Sequence, residues 1–125
     1  MAKLSEIMTG QVFNTTPSTT VHEVATGMVK GRFGSAVVME SGWLAGIFTE
    51  RDVLRVAAAG ADVKTATVGE WMTKDPVTAT SDMTADEAAQ IMASNGFRHL
   101  PVVDGRTVLG IVSLRDVLSA RIRNT

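Results

Sequence analysis

The chain contains two copies of one sequence pattern, and this internal repeat limits the possible folds more than any other feature. Residues 1–61 align with residues 65–125 at a constant offset of 64, without a gap, and 17 of the 61 aligned pairs are identical. Ordinary composition would give roughly four or five identities over that length. The segment Gly46 to Leu54 matches Gly110 to Leu118, so the pattern Gly-x-x-Thr/Ser-x-x-Asp occurs in both copies. Two similar halves usually pack about a pseudo-twofold axis, and we therefore expect paired clefts with one motif in each.

Length and composition exclude several classes of protein. Neither half of about 60 residues would bury much core alone, so we expect one compact unit built from both halves. The chain has no cysteine and two histidines, which excludes disulfides and zinc–thiolate sites and argues against a metal site. The net charge of −1 gives no basic stripe for nucleic acid or a membrane. No apolar stretch resembles a signal peptide or a membrane span, which predicts a cytoplasmic protein.

Both copies predict the same order of elements: a short helix, a strand, an amphipathic helix, two strands and a last helix. The capping boxes Thr20-x-x-Glu23 and Thr84-x-x-Glu87 precede the amphipathic helices, whose apolar residues recur at helical spacing. Met28 and Val29 lie on the first apolar stripe, and we interpret Met28 and Met92 as core residues. The predicted bounds in the two copies are 4–8 and 68–72 for the short helix, 12–15 and 76–79 for the first strand, 36–39 with 43–48 and 100–103 with 107–112 for the strand pairs, and Thr49 and Ser113 for the start of the last helix.

The matched segments resemble a known family. The Ile-Met-Thr and Trp-Met-Thr openings, the segment Arg98 to Asp104 and both Gly-Ile-x-Thr/Ser-x-Arg-Asp segments are similar to a tandem pair of CBS (cystathionine β-synthase-type) domains. The resemblance covers essentially the whole chain. It implies an α+β (α/β-type) fold of two β-α-β-β-α repeats packed about a pseudo-twofold axis. We place the first domain at residues 1–60, a linker at 61–67 and the second domain at 68–125.

The resemblance also implies a function. CBS pairs generally regulate or sense and do not catalyse, and two pairs commonly form a homodimer. Their usual ligands are adenosine derivatives, namely AMP, ADP, ATP or S-adenosylmethionine. We therefore expect a regulatory module that binds an adenine nucleotide or S-adenosylmethionine between its repeats and signals occupancy, as an energy sensor would, to a protein effector. No catalytic cofactor is expected.

The motif suits such a ligand chemically. Ser113 stands where a helix is predicted to begin, and helix N-termini favour anions. Asp116 follows one turn later, so both side chains can face one cleft. An ionised carboxylate has only acceptor sites, and a ribose diol offers two adjacent donors. Each hydrogen bond to a charged group contributes about 1.5–3 kcal/mol, so loss of the carboxylate would weaken binding about tenfold to a hundredfold. Thr49 and Asp52 repeat this arrangement.

The family pattern implies that each cleft combines a motif from one half with residues of the other half. Lys74, Arg98 and His99 are candidates for phosphate contact, although Arg98 and His99 could equally be a surface pair on a helix-to-strand turn. We therefore predict that the Asp52 cleft prefers a phosphorylated nucleotide and that the Asp116 cleft is weaker or takes a less charged ligand. The first predicted cleft comprises Ile111, Ser113 and Asp116 with Gly10, Val12, Gly34, Ser35 and Ala36. The second comprises Ile47, Thr49 and Asp52 with Lys74, Pro76, Arg98, His99 and Leu100.

Simpler interpretations of the same residues stay open. Thr49 and Ser113 are good N-caps, and an aspartate in a first helical turn stabilises a helix without any ligand. A purely structural homodimerising scaffold with degenerate clefts is the main alternative function. Catalysis is not expected, because no nucleophile–base pair is present. Trp43 and Trp71 have no counterpart in the other copy, and either could lie at an interface between modules.

Overall fold

The computed structural model describes residues 2–123. Short helices open each repeat, and each repeat ends in a longer helix that directly follows a strand. None of the helices in the described part of the chain is both long and apolar enough to cross a bilayer. In chain order the elements are α1 (Leu4–Ile7), β1 (Asn14–Thr15), α2 (Val21–Gly31), β2 (Ser35–Glu40), β3 (Trp43–Thr49), α3 (Glu50–Ala58), α4 (Val68–Trp71), β4 (Thr73–Lys74), α5 (Ala85–Asn95), β5 (His99–Asp104), β6 (Thr107–Ser113) and α6 (Leu114–Arg123).

The chain divides into two compact units. Residues Phe13–Pro76 form the continuous unit, whereas Met1–Val12 and Val77–Thr125 together form the split unit. In the split unit, the backbone N–H of Leu4 donates to the carbonyl of Met83 over 2.8 Å, which joins the opening of the first repeat to the body of the second. The boundaries of the compact units therefore differ from those of the sequence repeat. The domain bounds 1–60 and 68–125 stay a prediction.

The continuous unit contains a four-stranded sheet of order β1-β2-β3-β4. β1 runs parallel to β2, and the other two pairs are antiparallel. The β2–β3 register places Ser35 opposite Thr49, at the end of β3 where α3 begins. The core of this unit includes Phe48, the largest fully buried side chain among the described residues. The buried members of this core are Val21, Val24, Met28, Ala36, Val38, Phe48, Val56, Ala66 and Val68.

The split unit repeats this plan with fewer regular strands. β5 and β6 form an antiparallel pair whose register places His99 opposite Ser113. Single bridges link Thr9 to Ile111 and Ala79 to Val102, where the continuous unit has β4 and β1. The core on this sheet consists of Leu4, Ala79, Ala85, Ala88, Met92, Leu100, Val102, Val112 and Val117.

Most of the predicted elements are confirmed, with differences in the first strand of each repeat and in the apolar stripe of α2. The predicted strand at 12–15 is shortened to Asn14–Thr15. The predicted strand at 76–79 is reduced to the bridge at Ala79, and the short strand β4 lies before it. Met28 and Met92 are buried as predicted, but Val29 on the same apolar stripe is 79% exposed. The stripe is therefore narrower than the sequence spacing indicated, because only the residues of α2 that face the sheet are covered.

Candidate functional site

Both Asp motifs lie at a junction between a strand and a helix, and their glycines are required by close backbone packing. A Cβ atom on Gly110 would lie 2.7 Å from the carbonyl oxygen of Thr9, and one on Gly46 would lie 2.6 Å from that of Thr73. Such distances are too short for any side chain. The glycine of each motif thus lets the opening segment of the other repeat approach the strand before the motif.

In the split unit, Ser113 and Asp116 cap the start of α6. The backbone N–H of Ser113 donates to Oδ2 of Asp116 over 2.8 Å, and the N–H of Asp116 donates to the Ser113 hydroxyl over 3.1 Å. This reciprocal pair holds the carboxylate in a fixed orientation. Within the described residues, Oδ1 of Asp116 accepts no hydrogen bond, and the side chain is only partly buried. The carboxylate therefore keeps an acceptor that a ligand hydroxyl could use.

In the continuous unit, Asp52 has both carboxylate oxygens engaged. Oδ2 accepts from the N–H and the hydroxyl of Thr49 at 2.9 and 3.3 Å. Oδ1 accepts from Nη1 of Arg55 at 2.9 Å, and this contact is an ion pair. Asp52 is only 5% exposed, so these partners compensate the burial of its charge. The two motifs share a capping geometry but differ at the second oxygen.

The other predicted site residues of the continuous unit lie on two sides of β3. On one side, the carbonyl of Gly34 accepts from the N–H of Glu50 over 3.1 Å, and Ser35 is buried opposite Thr49. On the other side, Lys74 pairs with Gly46 and is exposed. The predicted residues in this unit are Gly34, Ser35, Ala36, Ile47, Thr49, Asp52, Lys74 and Pro76.

The split unit brings the basic pair to the Asp116 motif. The carbonyl of Arg98 accepts from the N–H of Leu114 over 2.8 Å, and His99 lies opposite Ser113. Both residues therefore adjoin the N-terminus of α6, the end of the helix that carries Asp116. Thr9 pairs with Ile111, and Gly10 and Val12 follow Thr9 in the same unit. The predicted residues in this unit are Gly10, Val12, Arg98, His99, Leu100, Ile111, Ser113 and Asp116.

The family pattern predicts that each cleft combines residues of both repeats. Some of these combinations lie within one compact unit. Gly10 and Val12 share a unit with Asp116, and Lys74 and Pro76 share a unit with Asp52. Arg98, His99 and Leu100 belong to the split unit, whereas Asp52 belongs to the continuous unit. That these three residues complete the Asp52 cleft stays a prediction. The backbones of Arg98 and His99 adjoin the N-terminus of α6.

The residue that sequence reasoning missed is Arg55. Besides its ion pair with Asp52, its Nη1 lies 3.4 Å from the carbonyl of Trp71, and its guanidinium carbon lies 5.6 Å from the centre of the Trp71 ring. The spacing of Asp52 and Arg55 on a predicted helix is compatible with such a pair. The contact with Trp71 could not be found from spacing, because 16 residues separate the two positions.

Two carboxylates outside the Asp motifs have shifted pKa values. Among residues 2–123 no group of three His, Asp or Glu side chains is placed to hold a metal ion. The Thr67 backbone N–H and hydroxyl hold the pKa of Glu70 below its usual value at the start of α4. The Thr80 hydroxyl and the backbone N–H of Asp82 likewise lower the pKa of Asp82. Both carboxylates are exposed, so these shifts concern turns and caps.

Comparison with known proteins agrees with the repeat. The sequence profile of the CBS domain matches residues 4–59 and again residues 68–123. The CBS domain-containing protein YhcV of Bacillus subtilis is 36% identical over 125 residues, which cover 99% of this chain and 89% of the relative.

Solved structures show the same architecture. The CBS-domain containing protein ATU1752 of Agrobacterium tumefaciens superimposes with a TM-score of 0.89 at 32% identity, covering 96% of this chain and 99% of that one. The CBS domain pair of protein MJ0100, solved with 5′-methylthioadenosine and S-adenosyl-L-methionine, gives a TM-score of 0.90 at 25% identity, covering 99% and 98%. This chain therefore belongs to the CBS-domain family, whose tandem pairs are regulatory modules.

Proposed function

We propose that this CBS pair is a sensor that binds an adenosine-containing ligand, AMP, ADP, ATP or S-adenosylmethionine, and passes its occupancy to a protein effector. The observation that carries the proposal is the carboxylate of Asp116. Its Oδ2 is fixed by the N–H of Ser113, while its Oδ1 accepts no hydrogen bond among the described residues. A ribose diol supplies two adjacent donors that match such an oriented acceptor.

The neighbouring residues favour a phosphate near the same motif. Arg98 and His99 adjoin the N-terminus of α6, where the helix dipole and the basic side chains both attract an anion. We therefore propose that the Asp116 motif, with Ile111, Gly10 and Val12, is the main site for a phosphorylated nucleotide. This ranking reverses the one derived from the family pattern, which assigned Arg98 and His99 to Asp52.

The remaining predicted residues are proposed to line the two clefts beside the Asp motifs. Gly34, Ser35 and Ala36 of the first repeat would line the Asp116 cleft. Leu100 of the second repeat would line the Asp52 cleft. Within its own unit, Asp52 has Ile47, Lys74 and Pro76. Lys74 is exposed and offers a flexible cation that could reach a phosphate.

Calorimetric titration of the purified protein with AMP, ADP, ATP and S-adenosylmethionine tests this function. We expect micromolar binding of at least one ligand, about −8 kcal/mol. Asp116→Ala should weaken the binding of a phosphorylated nucleotide more than Asp52→Ala does. Arg98→Ala should weaken AMP more than adenosine in the Asp52→Ala background. If Arg98→Ala acts only when Asp52 is intact, the ranking derived from the family pattern is the correct one.

A structural scaffold is the second candidate function, and the capping role of both motifs supports it. In that case the aspartates would stabilise α3 and α6 without binding a ligand. Absence of both binding heat and thermal stabilisation with every ligand would favour the scaffold. A ligand in hundredfold excess over its dissociation constant should stabilise the fold by about 2.7 kcal/mol.

We also propose that the module forms a cytoplasmic homodimer. Leu54 on α3 and Leu118 on α6 occupy equivalent positions in the two repeats, and both are exposed, at 70% and 48%. Each of these exposed apolar residues is a position that a second copy could cover. Sedimentation analysis should give the mass of a dimer, and Leu54→Glu with Leu118→Glu should shift it to the monomer. A monomeric wild type would contradict this proposal.

A further inference from the structure

The two copies of the Asp motif are followed by different residues at the position three after the aspartate. In the continuous unit this position is Arg55, whose Nη1 lies 2.9 Å from Oδ1 of Asp52 and 3.4 Å from the carbonyl of Trp71. The guanidinium also faces the Trp71 ring at 5.6 Å. Arg55 is therefore held by three groups, although 54% of its side chain is exposed. Oδ1 of the buried Asp52 carboxylate therefore accepts a hydrogen bond from Arg55, in addition to the contacts of Oδ2 with Thr49.

The repeat supplies an internal control for this contact. The positions equivalent to Arg55 and Trp71 in the other copy are Ser119 and Ile7, so both partners of the cation–π contact are replaced. The carboxylate of Asp116 correspondingly has an oxygen that accepts no hydrogen bond among the described residues. Arg55 comes from the first copy and Trp71 from the second, but both lie in the continuous unit. The equivalent residues of the split unit, Ser119 and Ile7, lack both the guanidinium and the aromatic ring.

We propose that Arg55 is an internal competitor that holds the Asp52 carboxylate and makes the Asp52 motif the weaker site for an uncharged adenosine ligand. This inference rests on the proposed function, since it assumes that the aspartates bind a ribose. Oδ2 of Asp52 already accepts from Thr49 in two contacts, so a ribose diol must share or displace Arg55 at Oδ1. The contact with Trp71 adds to the cost of displacement.

The competition depends on the charge of the ligand. When a neutral nucleoside displaces Arg55, the guanidinium gains no new anionic partner. When a phosphorylated ligand displaces it, the freed guanidinium can pair with the phosphate, which offsets part of the loss. Arg55 is therefore a specificity-determining residue that lowers the affinity of the Asp52 motif for adenosine more than for AMP.

Single-site variants test the proposal. In the Asp116→Ala background, calorimetry with adenosine reports the Asp52 motif alone, and Arg55→Met removes the competing donor while it keeps an apolar stem against Trp71. We expect adenosine to bind about fivefold tighter, the size of a partly exposed ion pair. Affinity for AMP should rise less or fall, so the ratio of AMP to adenosine affinity decreases. Arg55→Ser, which introduces the residue type found at the equivalent position 119, should change both affinities in the same direction as Arg55→Met.

A reciprocal exchange and a matched control complete the design. In the Asp52→Ala background, Ser119→Arg combined with Ile7→Trp should weaken adenosine binding at Asp116 by a similar factor. Arg51→Met removes an exposed arginine from the same helix and should leave adenosine affinity unchanged. Thermal melting of each variant shows that it is folded before its affinity is compared.

The outcomes separate the two proposals. If adenosine binds and Arg55→Met and Arg55→Ser leave its affinity unchanged or lower it, Arg55 is not a competitor, and the sensor function still stands. If neither adenosine nor AMP binds the wild type or any variant, the proposed function is wrong and this inference falls with it. Equal gains for adenosine and AMP would contradict the charge dependence.

Discussion

The glycine that begins each Asp motif should be a determinant of stability. In Gly110→Ala, the new Cβ would lie 2.7 Å from the Thr9 carbonyl oxygen and 2.9 Å from the Met8 sulfur. The flexible methionine can move, but the carbonyl cannot, because it accepts from the N–H of Ile111 at 3.0 Å. The Thr9–Ile111 bridge must therefore open. Two lost hydrogen bonds at about 0.5–1.5 kcal/mol each and about 1 kcal/mol of overpacking give about 2–4 kcal/mol.

Urea unfolding followed by circular dichroism measures this loss directly. A decrease of about 2 kcal/mol corresponds to a fall of roughly 8 °C in melting temperature for a domain of this size. Gly10→Ala is the matched control, because a Cβ at Gly10 meets nothing within 4 Å. Gly46→Ala should repeat the loss in the continuous unit, where the Thr73 carbonyl lies at 2.6 Å. A free energy of unfolding for Gly110→Ala within about 0.5 kcal/mol of wild type would refute the close-packing argument.

Three further changes have defined outcomes. Met92→Ala empties a core position that is 2% exposed and should lower the free energy of unfolding by about 2–5 kcal/mol in urea titration. Because folding lowers the pKa of Glu70, its contribution is present above the unfolded value of 4.5 and is lost as pH falls through the folded value; Glu70→Gln should therefore flatten the acid side of a pH–stability profile. Asp116→Asn should weaken nucleotide binding about tenfold or more in calorimetry while the protein stays folded.

Local sequence patterns predicted the parts of the fold that depend on neighbours in the chain. Thr84 and Glu87 form the predicted reciprocal cap: the N–H of Glu87 donates to the Thr84 hydroxyl, and Glu87 accepts from the N–H of Thr84. At Thr20 only the first of these bonds is present. The turn at Gly96 has the positive φ of 72° that ends a helix, as its glycine indicated.

Contacts between distant segments were not predictable from one sequence. The repeat predicts a linker at residues 61–67, and this stays a prediction. The sequence did not indicate that helix α4 packs with the first repeat, where the N–H of Val68 donates to the carbonyl of Thr19. The strand Thr73–Lys74 pairs with β3, and its own sequence carries no strand pattern. The contact between Arg55 and Trp71 depends on the same exchange of segments, which places the opening of the second repeat against the first.

The presence of both aspartates alone does not distinguish a sensor from a scaffold, because capping uses the same residues. Capping needs one acceptor oxygen, and Asp116 provides it through Oδ2. Ribose recognition needs the second oxygen as well, and a carboxylate offers two where an amide offers one. Asparagine at position 116 can keep the cap and lose the second acceptor. A scaffold would therefore tolerate this change without consequence, whereas a sensor would stay folded and lose its ligand.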